Sequence, residues 1–385
     1  MSNQPRSSRC TPYSPCDGIA SVLFLVVLAY RVFLCAQAPE DTSDLLRHLG
    51  FSSHLFEWGA KIYHAVPRDF EPEFWTRFWT DQEYIYPPGA MVFFSLFSSA
   101  GLGLFAAKLA LTLLDLVASV LISRMTSLWC GLLAFSAPVA LWYTSHEGMY
   151  DGIVVLPLVI SIFALDRRRW CVAGALFLLA LQFKQFALFA APMYLHTFYQ
   201  LPPIDRFRPM IRFGIGMALG MLLFLPFYLE APDLWIRPLS SQTTLYNPFA
   251  WNFFDRRVFL WNPTWLIMWN ITASLSVLLV LAMFLIRRRK LESVFESAPL
   301  AGFWLVVKSL KWAQFWYVAV VPALALALRR HRRLVLILLL LHWLQCGRSM
   351  ALLLGRPFGV REKQTTIDLF EKCIWRCDYQ APVHQ

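Results

Sequence analysis

Apolar runs of membrane-crossing length, separated by short basic clusters, dominate the chain. Their positions are roughly 18–38, 88–106, 107–123, 128–143, 150–165, 170–184, 186–200, 211–229, 264–286, 298–310, 313–328 and 334–354. A crossing helix needs about 20 predominantly apolar residues, fewer where the bilayer is thin. The pattern predicts an all-α polytopic membrane protein. Residues 1–17 form a cytoplasmic N-terminus, 18–355 one integral membrane domain and 356–385 a C-terminal tail. Two long polar stretches interrupt the apolar pattern, at 39–87 and 230–263. Arg6 and Arg9 precede the run Gly18–Ala38, which lacks a small-residue cleavage site and reads as an uncleaved first helix.

Charge placement orients the helices. Arg167–Arg169, Arg287–Lys290 and Arg329–Arg333 are expected on the cytoplasmic side, as is the N-terminus. The stretch Pro39–Pro87 holds nine acidic and four basic residues, which fits the outer side. Five candidate segments precede Arg167, yet a return to the inside needs an even number of crossings. The segment 128–143 is short and ends in the polar string YTSHEGMYDG, so it is read as re-entrant or interfacial. The remaining segments give about eleven crossings. Both long loops, with Lys184, Lys308 and Lys311, then fall on the outer side, and Leu201–Pro209 is an inner loop.

Composition narrows the class. The chain has 385 residues, 58% hydrophobic and 15% charged, where a soluble domain carries about 25% charged residues. That excludes a soluble globular enzyme, a disordered chain and a disulfide scaffold. The net charge of +11 falls between apolar runs, so it holds loops at a membrane face rather than binding nucleic acid. Cys35, Cys130, Cys171 and Cys346 lie in or beside apolar runs, where a small buried role is the default. Cys373 and Cys377 could pair only in an oxidising compartment.

Polar groups at membrane depth are costly, so clusters of them point to function. Asp41 and Asp44, in EDTSDLLRHLG, precede apolar spacing that suggests an amphipathic helix on the membrane surface. Thr42, Ser43 or Asp44 could simply cap that helix, but a carboxylate there could also take a proton from a hydroxyl. YIYPPGA places prolines at a helix start, where missing donors cost nothing. His146, Glu147 and Asp151 form a third group with Lys184 and Gln185. Lys184 could snorkel or neutralise an anionic headgroup such as a lipid phosphate. His146 could serve as a metal ligand or proton relay, or be a hydrogen-bonded structural residue. A fourth group comprises Lys308, Lys311 and Gln314 with Asp255, Arg256 and Arg257. Aromatic residues crowd the second loop (Tyr246, Phe249, Trp251, Phe253 and Trp261 among them), which suits a membrane interface.

In order along the chain come one helix, an acidic loop with an early Asp, YPPG at the second helix and a polar string. FKQFALFAAPMYL, an aromatic loop and a K…Q-aromatic helix ending in Pro follow. This arrangement resembles the GT-C superfamily of membrane glycosyltransferases that use polyprenyl-phosphate sugars, over nearly the whole chain. LALQFKQFALFAAPMYL (Leu179–Leu195) and LYNPFAWNFFDRRVFLWN (Leu245–Asn262) are similar to segments of the dolichyl-phosphate-glucose-dependent glucosyltransferases. VVKSLKWAQFWYVAVVP (Val306–Pro322) looks more like a helix of the polyprenyl-phosphate-mannose-dependent mannosyltransferases. The glucosyltransferases have Asp-His-Gly-His-Phe-Gln-Tyr-Asn where this chain has SHEGMYDG, so acceptor identity does not carry over.

The resemblance implies a hexosyltransferase acting with inversion on the outer face of a bacterial inner membrane or an ER membrane. Either Asp44 or Asp41 would be the base. Asp44 is preferred, because the mannosyltransferase pattern sets an Asp about that far before the residues matching Gly59 and Tyr63. Lys184, Lys308, Arg256 and Arg257 would hold the donor phosphate. His146, Glu147, Asp151, Gln185 and Gln314 would line the acceptor side. Its partners would be the polyprenyl-phosphate sugar, the bilayer and a glycan, lipid or protein acceptor. The resemblance fixes no cofactor; a divalent cation, where one is used, would take Asp44, Asp41 and Glu147 as its first ligands. Two rival classes remain, a polymerase or ligase using diphosphate-linked glycans and a lipid or sugar transporter.

Overall fold

A computed structural model describes residues 15–37, 43–66, 83–235, 237, 291–309 and 315–354. The described residues are helical, without strands. In order they form α1 (Pro15–Ala36), α2 (Ser43–Ser53), α3 (Leu55–Trp58), α4 (Pro88–Ser99), α5 (Leu104–Met125), α6 (Leu128–Phe135) and α7 (Val155–Asp166). Then come α8 (Trp170–Phe183), α9 (Ala191–Tyr199), α10 (Pro203–Leu222), α11 (Leu225–Glu230), α12 (Leu291–Ser309), α13 (Val321–Ala325) and α14 (Arg332–Leu354). The expected segment 264–286, most of the second loop and the tail lie outside the described residues, as do Cys373 and Cys377.

Two of these helices are long and apolar enough to cross a membrane, α1 over Asp17–Ala36 and α5. The segment expected to be re-entrant is a pair, α6 and a π-helical turn at Ala140–His146, bent by 56° at Ser136–Val139. Pro88–Ser99, Trp170–Phe183 and Val318–Leu328 are apolar but shorter. Apolar side chains of α1 (Ile19, Val22, Leu25, Val26, Phe33) and of α14 (Ile337, Leu340, Leu344) point outward. An apolar outer surface is what lipid solvates.

Local chemistry sets the boundaries. Pro88 begins α4, where its missing N–H is no loss. Gly101–Gly103 separates α4 from α5, so the run expected at 88–106 ends at Ser99. The Ser127 hydroxyl accepts from the Cys130 N–H at 3.3 Å and caps α6. Leu201–Pro209, expected as a loop, is helical from Pro203 onward. Pro203 opens α10, which runs through Pro209 and keeps Arg206, Arg208 and Arg212 on helix.

α8 and α10 run parallel in close contact, with α9 returning between them in the chain. A Cβ on Gly216 would lie 1.9 Å from the Cys171 carbonyl oxygen, and one on Gly174 would lie 2.0 Å from that of Phe213. Small residues let the two backbones touch, as in membrane helix pairs. One continuous core joins α4 through α9 with α12, α13 and α14.

Inside it, α1 and α5 share a charged pair. Arg31 is fully buried and its Nη2 lies 2.8 Å from Asp115 Oδ2. The same guanidinium donates to Ser145 Oγ at 2.6 Å and to the carbonyls of Phe135 and Ala140, both at 3.2 Å. Those carbonyls flank the bend after α6, so the pair ties the broken segment to two long helices.

Candidate functional site

The two ends of the bundle differ. α7 runs from Val155 to Asp166, about 18 Å at helical rise. At its far end Asp166 accepts from Arg329 Nε at 2.8 Å, and Arg330 donates to Gln200 at 2.9 Å. Glu296 faces His331 there at 3.6 Å. The basic clusters Arg167–Arg169 and Arg329–Arg333 thus share one end. The near end carries Asp151, Lys184 and the segments flanking both long loops.

The loop segments meet each other. His64 Nε2 is bonded to the Glu230 carbonyl at 3.2 Å. Arg237 donates to the Tyr63 carbonyl at 2.7 Å and pairs with Glu83 at 3.0 Å. Tyr228 of α11 donates to Gln182 at the end of α8, at 2.8 Å. Both long loops therefore leave from the end that holds Lys184.

Lys184 breaks the helical run between α8 and the 3-10 turn Gln185–Ala190, with extended backbone at φ −161° and ψ 139°. Its ammonium is ion-paired with Asp151, and both groups are buried. The Nζ sits 5.0 Å from the Tyr150 ring centre, 5.8 Å from Tyr86 and 6.0 Å from Phe186. A buried carboxylate and three aromatic faces hold it in place. Sequence reasoning grouped Lys184 with Asp151 but did not pair them.

α2 covers this cluster. Its Leu45, Arg47, His48, Phe51 and Ser52 are buried, the spacing of one helical face and its flank. The amphipathic helix expected after Asp41 and Asp44 is thus present, and its buried face packs on α4. Ser52 donates to the Met91 carbonyl at 3.0 Å, and Ser98 to that of Leu49 at 3.0 Å. Arg47 donates to the Glu83 carbonyl at 2.7 Å and lies 5.9 Å from the Tyr86 ring centre.

His48 enters an aromatic box. Its ring centre is 4.4 Å from that of Tyr150, 5.0 Å from Tyr86 and 5.3 Å from Phe94. Its Nδ1 is 2.7 Å from the Tyr84 hydroxyl. Burial, with the charges of Arg47 and Lys184 beside it, holds the imidazole well below its ordinary pKa of 6.5, and so neutral.

The string SHEGMYDG supplies the floor. His146 Nδ1 is 2.7 Å from Glu147 Oε1, and the ring stacks on Trp142 at 4.2 Å. These contacts fix the position of the His146 ring. Gly148 adopts φ +74°, and a Cβ there would lie 2.4 Å from Leu45 of α2. Only glycine serves both needs, the left-handed backbone and the seat for α2. Gly89 of YPPGA meets only the second need, seating α4 against α8, since a Cβ would meet the Gln182 carbonyl oxygen at 2.6 Å.

His146, Glu147, Asp151, Lys184 and Gln185 thus stand on joined segments at one end. Asp44 lies in the first turn of α2, one turn before His48. Lys308 lies in the last turn of α12. Asp41, Arg256, Arg257 and Gln314 are outside the described residues. No three described His, Cys, Asp or Glu residues form a metal-holding group. Sequence reasoning missed Arg47 and His48, although the position four after Asp44 on an amphipathic helix was a signal. It also missed Arg31, Lys108 and Asp115, charges inside apolar runs that their cost alone should have flagged. Compared with protein family models, curated proteins and solved structures, the chain matches none.

Proposed function

We propose that the chain is a polytopic membrane glycosyltransferase of the GT-C type. It transfers mannose or glucose from a polyprenyl monophosphate to an acceptor hydroxyl on the outer or lumenal face. About eleven crossings, several of them short, would span a bilayer with the end rich in arginine in the cytoplasm. The observation that carries the reading is the gathering of Arg47, His48, Tyr86, Tyr150, Asp151 and Lys184 where both long loops leave the bundle. Aromatic faces and paired charges at a lipid boundary suit a sugar carried on a lipid phosphate.

In the reaction the acceptor oxygen attacks the anomeric carbon while the carbon–oxygen bond to phosphate breaks. The acceptor proton passes to the Asp44 carboxylate, or to that of Asp41, and the polyprenyl phosphate leaves with the bonding electrons. A single displacement inverts the centre. The donor phosphodiester carries one negative charge, and the departing monoester approaches two. Lys184 attracts the leaving phosphate more strongly as its second charge develops, the condition for stabilising a transition state over the ground state. Lys308, Arg256 and Arg257 would complete the phosphate site.

Proteoliposomes offered labelled polyprenyl-phosphate mannose, then glucose, test this. Asp44→Ala or Asp41→Ala should lower transfer by about 100-fold or more, the usual contribution of a general base. Wild-type rates in both variants would remove the base assignment. Movement of labelled lipid across the bilayer without transfer from any monophosphate donor would replace the enzyme with a transporter.

A further inference from the structure

Among the described residues, the buried side-chain nitrogens His48 Nε2 and Gln185 Nε2 have no hydrogen-bond partner. A buried unpaired polar atom forfeits its hydration, so such atoms are rare unless a ligand satisfies them. The other nitrogen of His48 is fixed by the Tyr84 hydroxyl at 2.7 Å. The ring is further wedged between Phe94, stacked at 5.3 Å, and Tyr150, edge-on at 4.4 Å. The imidazole cannot turn to find a partner without breaking that bond.

We propose that His48 Nε2 hydrogen-bonds a hydroxyl of the transferred hexose, making His48 a sugar-binding residue that holds the ring against Tyr86 and Tyr150. This deepens the glycosyltransferase reading and rests on it for the identity of the ligand. Neutral imidazole suits an uncharged hydroxyl better than a phosphate, which Arg47 and Lys184 are placed to attract. Tyr86 and Tyr150 stand 5.4 Å apart at 79°, and the His48 ring centre lies 5.0 Å and 4.4 Å from theirs. Gln185, next to Lys184 in the chain, carries a second buried nitrogen without a partner.

Equilibrium binding to the full-length chain in nanodiscs tests the proposal, using radiolabelled polyprenyl-phosphate mannose and sugar-free polyprenyl phosphate. His48→Asn keeps a polar group near Nδ1 and removes the one at Nε2, whereas His48→Gln does the reverse. His48→Asn should weaken the sugar-bearing lipid about tenfold, the scale of one lost hydrogen bond, and leave the sugar-free lipid unchanged. His48→Gln should bind both like wild type.

Equal loss for both lipids, loss confined to His48→Gln, or no loss at all overturns the proposal, and so does a wild type that binds no sugar-bearing lipid. In the wild-type chain the sugar-bearing lipid alone should shift the His48 Nε2 resonance in ¹⁵N spectra, and its failure to do so is equally fatal. Binding with the expected pattern but without transfer would sustain the role of His48 and end the transferase reading.

Discussion

Arg31 and Asp115 offer the sharpest test of how the bundle is held. Replacing Arg31 with Met removes one guanidinium that serves Asp115, Ser145 and the carbonyls of Phe135 and Ala140. The Asp115 carboxylate is left buried without its counter-charge, retaining a bond from Thr144. Breaking such a pair from one side costs about 3–5 kcal/mol. Asp115→Leu should cost less, because Arg31 keeps three oxygen acceptors and the face of Phe135 at 4.5 Å. The double variant Arg31→Met/Asp115→Leu removes both charges and should be more stable than Arg31→Met alone. Thermal unfolding of the purified chain in nanodiscs measures all three. If the two single losses simply add in the double variant, the pair is not coupled and the argument fails.

Three further outcomes follow from the packing. Gly216→Ala should destabilise by about 1–3 kcal/mol through overpacking against Cys171, while Gly214→Ala, with open space around it, should be neutral or slightly stabilising; equal melting temperatures would refute the close contact of α8 and α10. Lys184→Met should lower both stability and transfer, and Lys184→Met/Asp151→Leu should recover stability but not transfer; recovery of both would strip Lys184 of any chemical role. His48 also predicts a pH effect: its folded pKa lies below 6.5, so the unfolded chain binds the extra proton and stability falls as pH drops through about 6.5. The fall in melting temperature between pH 7.5 and 5.5 should shrink in His48→Gln; an unchanged slope would show that the imidazole is not held neutral.

Much of this arrangement could be read from the residue pattern, and the rest could not for definite reasons. Periodicity and run length located α1, α5 and the amphipathic α2, since each element's own residues carry that signal. The break after α6 was legible because a short apolar run met a polar string. Helix boundaries at Ser99 and Pro203 were not, because hydropathy does not distinguish a Gly-rich break from a short helix end. Prolines at N1 start helices even within basic segments. Long-range pairings were hidden for a deeper reason. Arg31 meets Asp115 across 84 positions and Lys184 meets Asp151 across 33, and nothing in a local pattern names a partner that distant.

Those hidden pairings also explain why the near end can hold charge at all. A cluster with Arg47, Lys184 and Asp151 at the edge of an apolar bundle is stable only if each group is paired or covered. Asp151 balances Lys184, and the Glu83 carbonyl takes a bond from Arg47. α2 is the cover, and its seat depends on Gly148, whose absent side chain leaves room for Leu45. The polar string expected to line the acceptor side therefore has a second duty as the surface on which α2 rests. On the proposed reading the two duties are linked. α2, with Asp44 in its first turn, would reach the sugar because Gly148 of SHEGMYDG lets it seat beside Lys184, and a side chain at Gly148 would displace α2 and carry the proposed base and His48 with it.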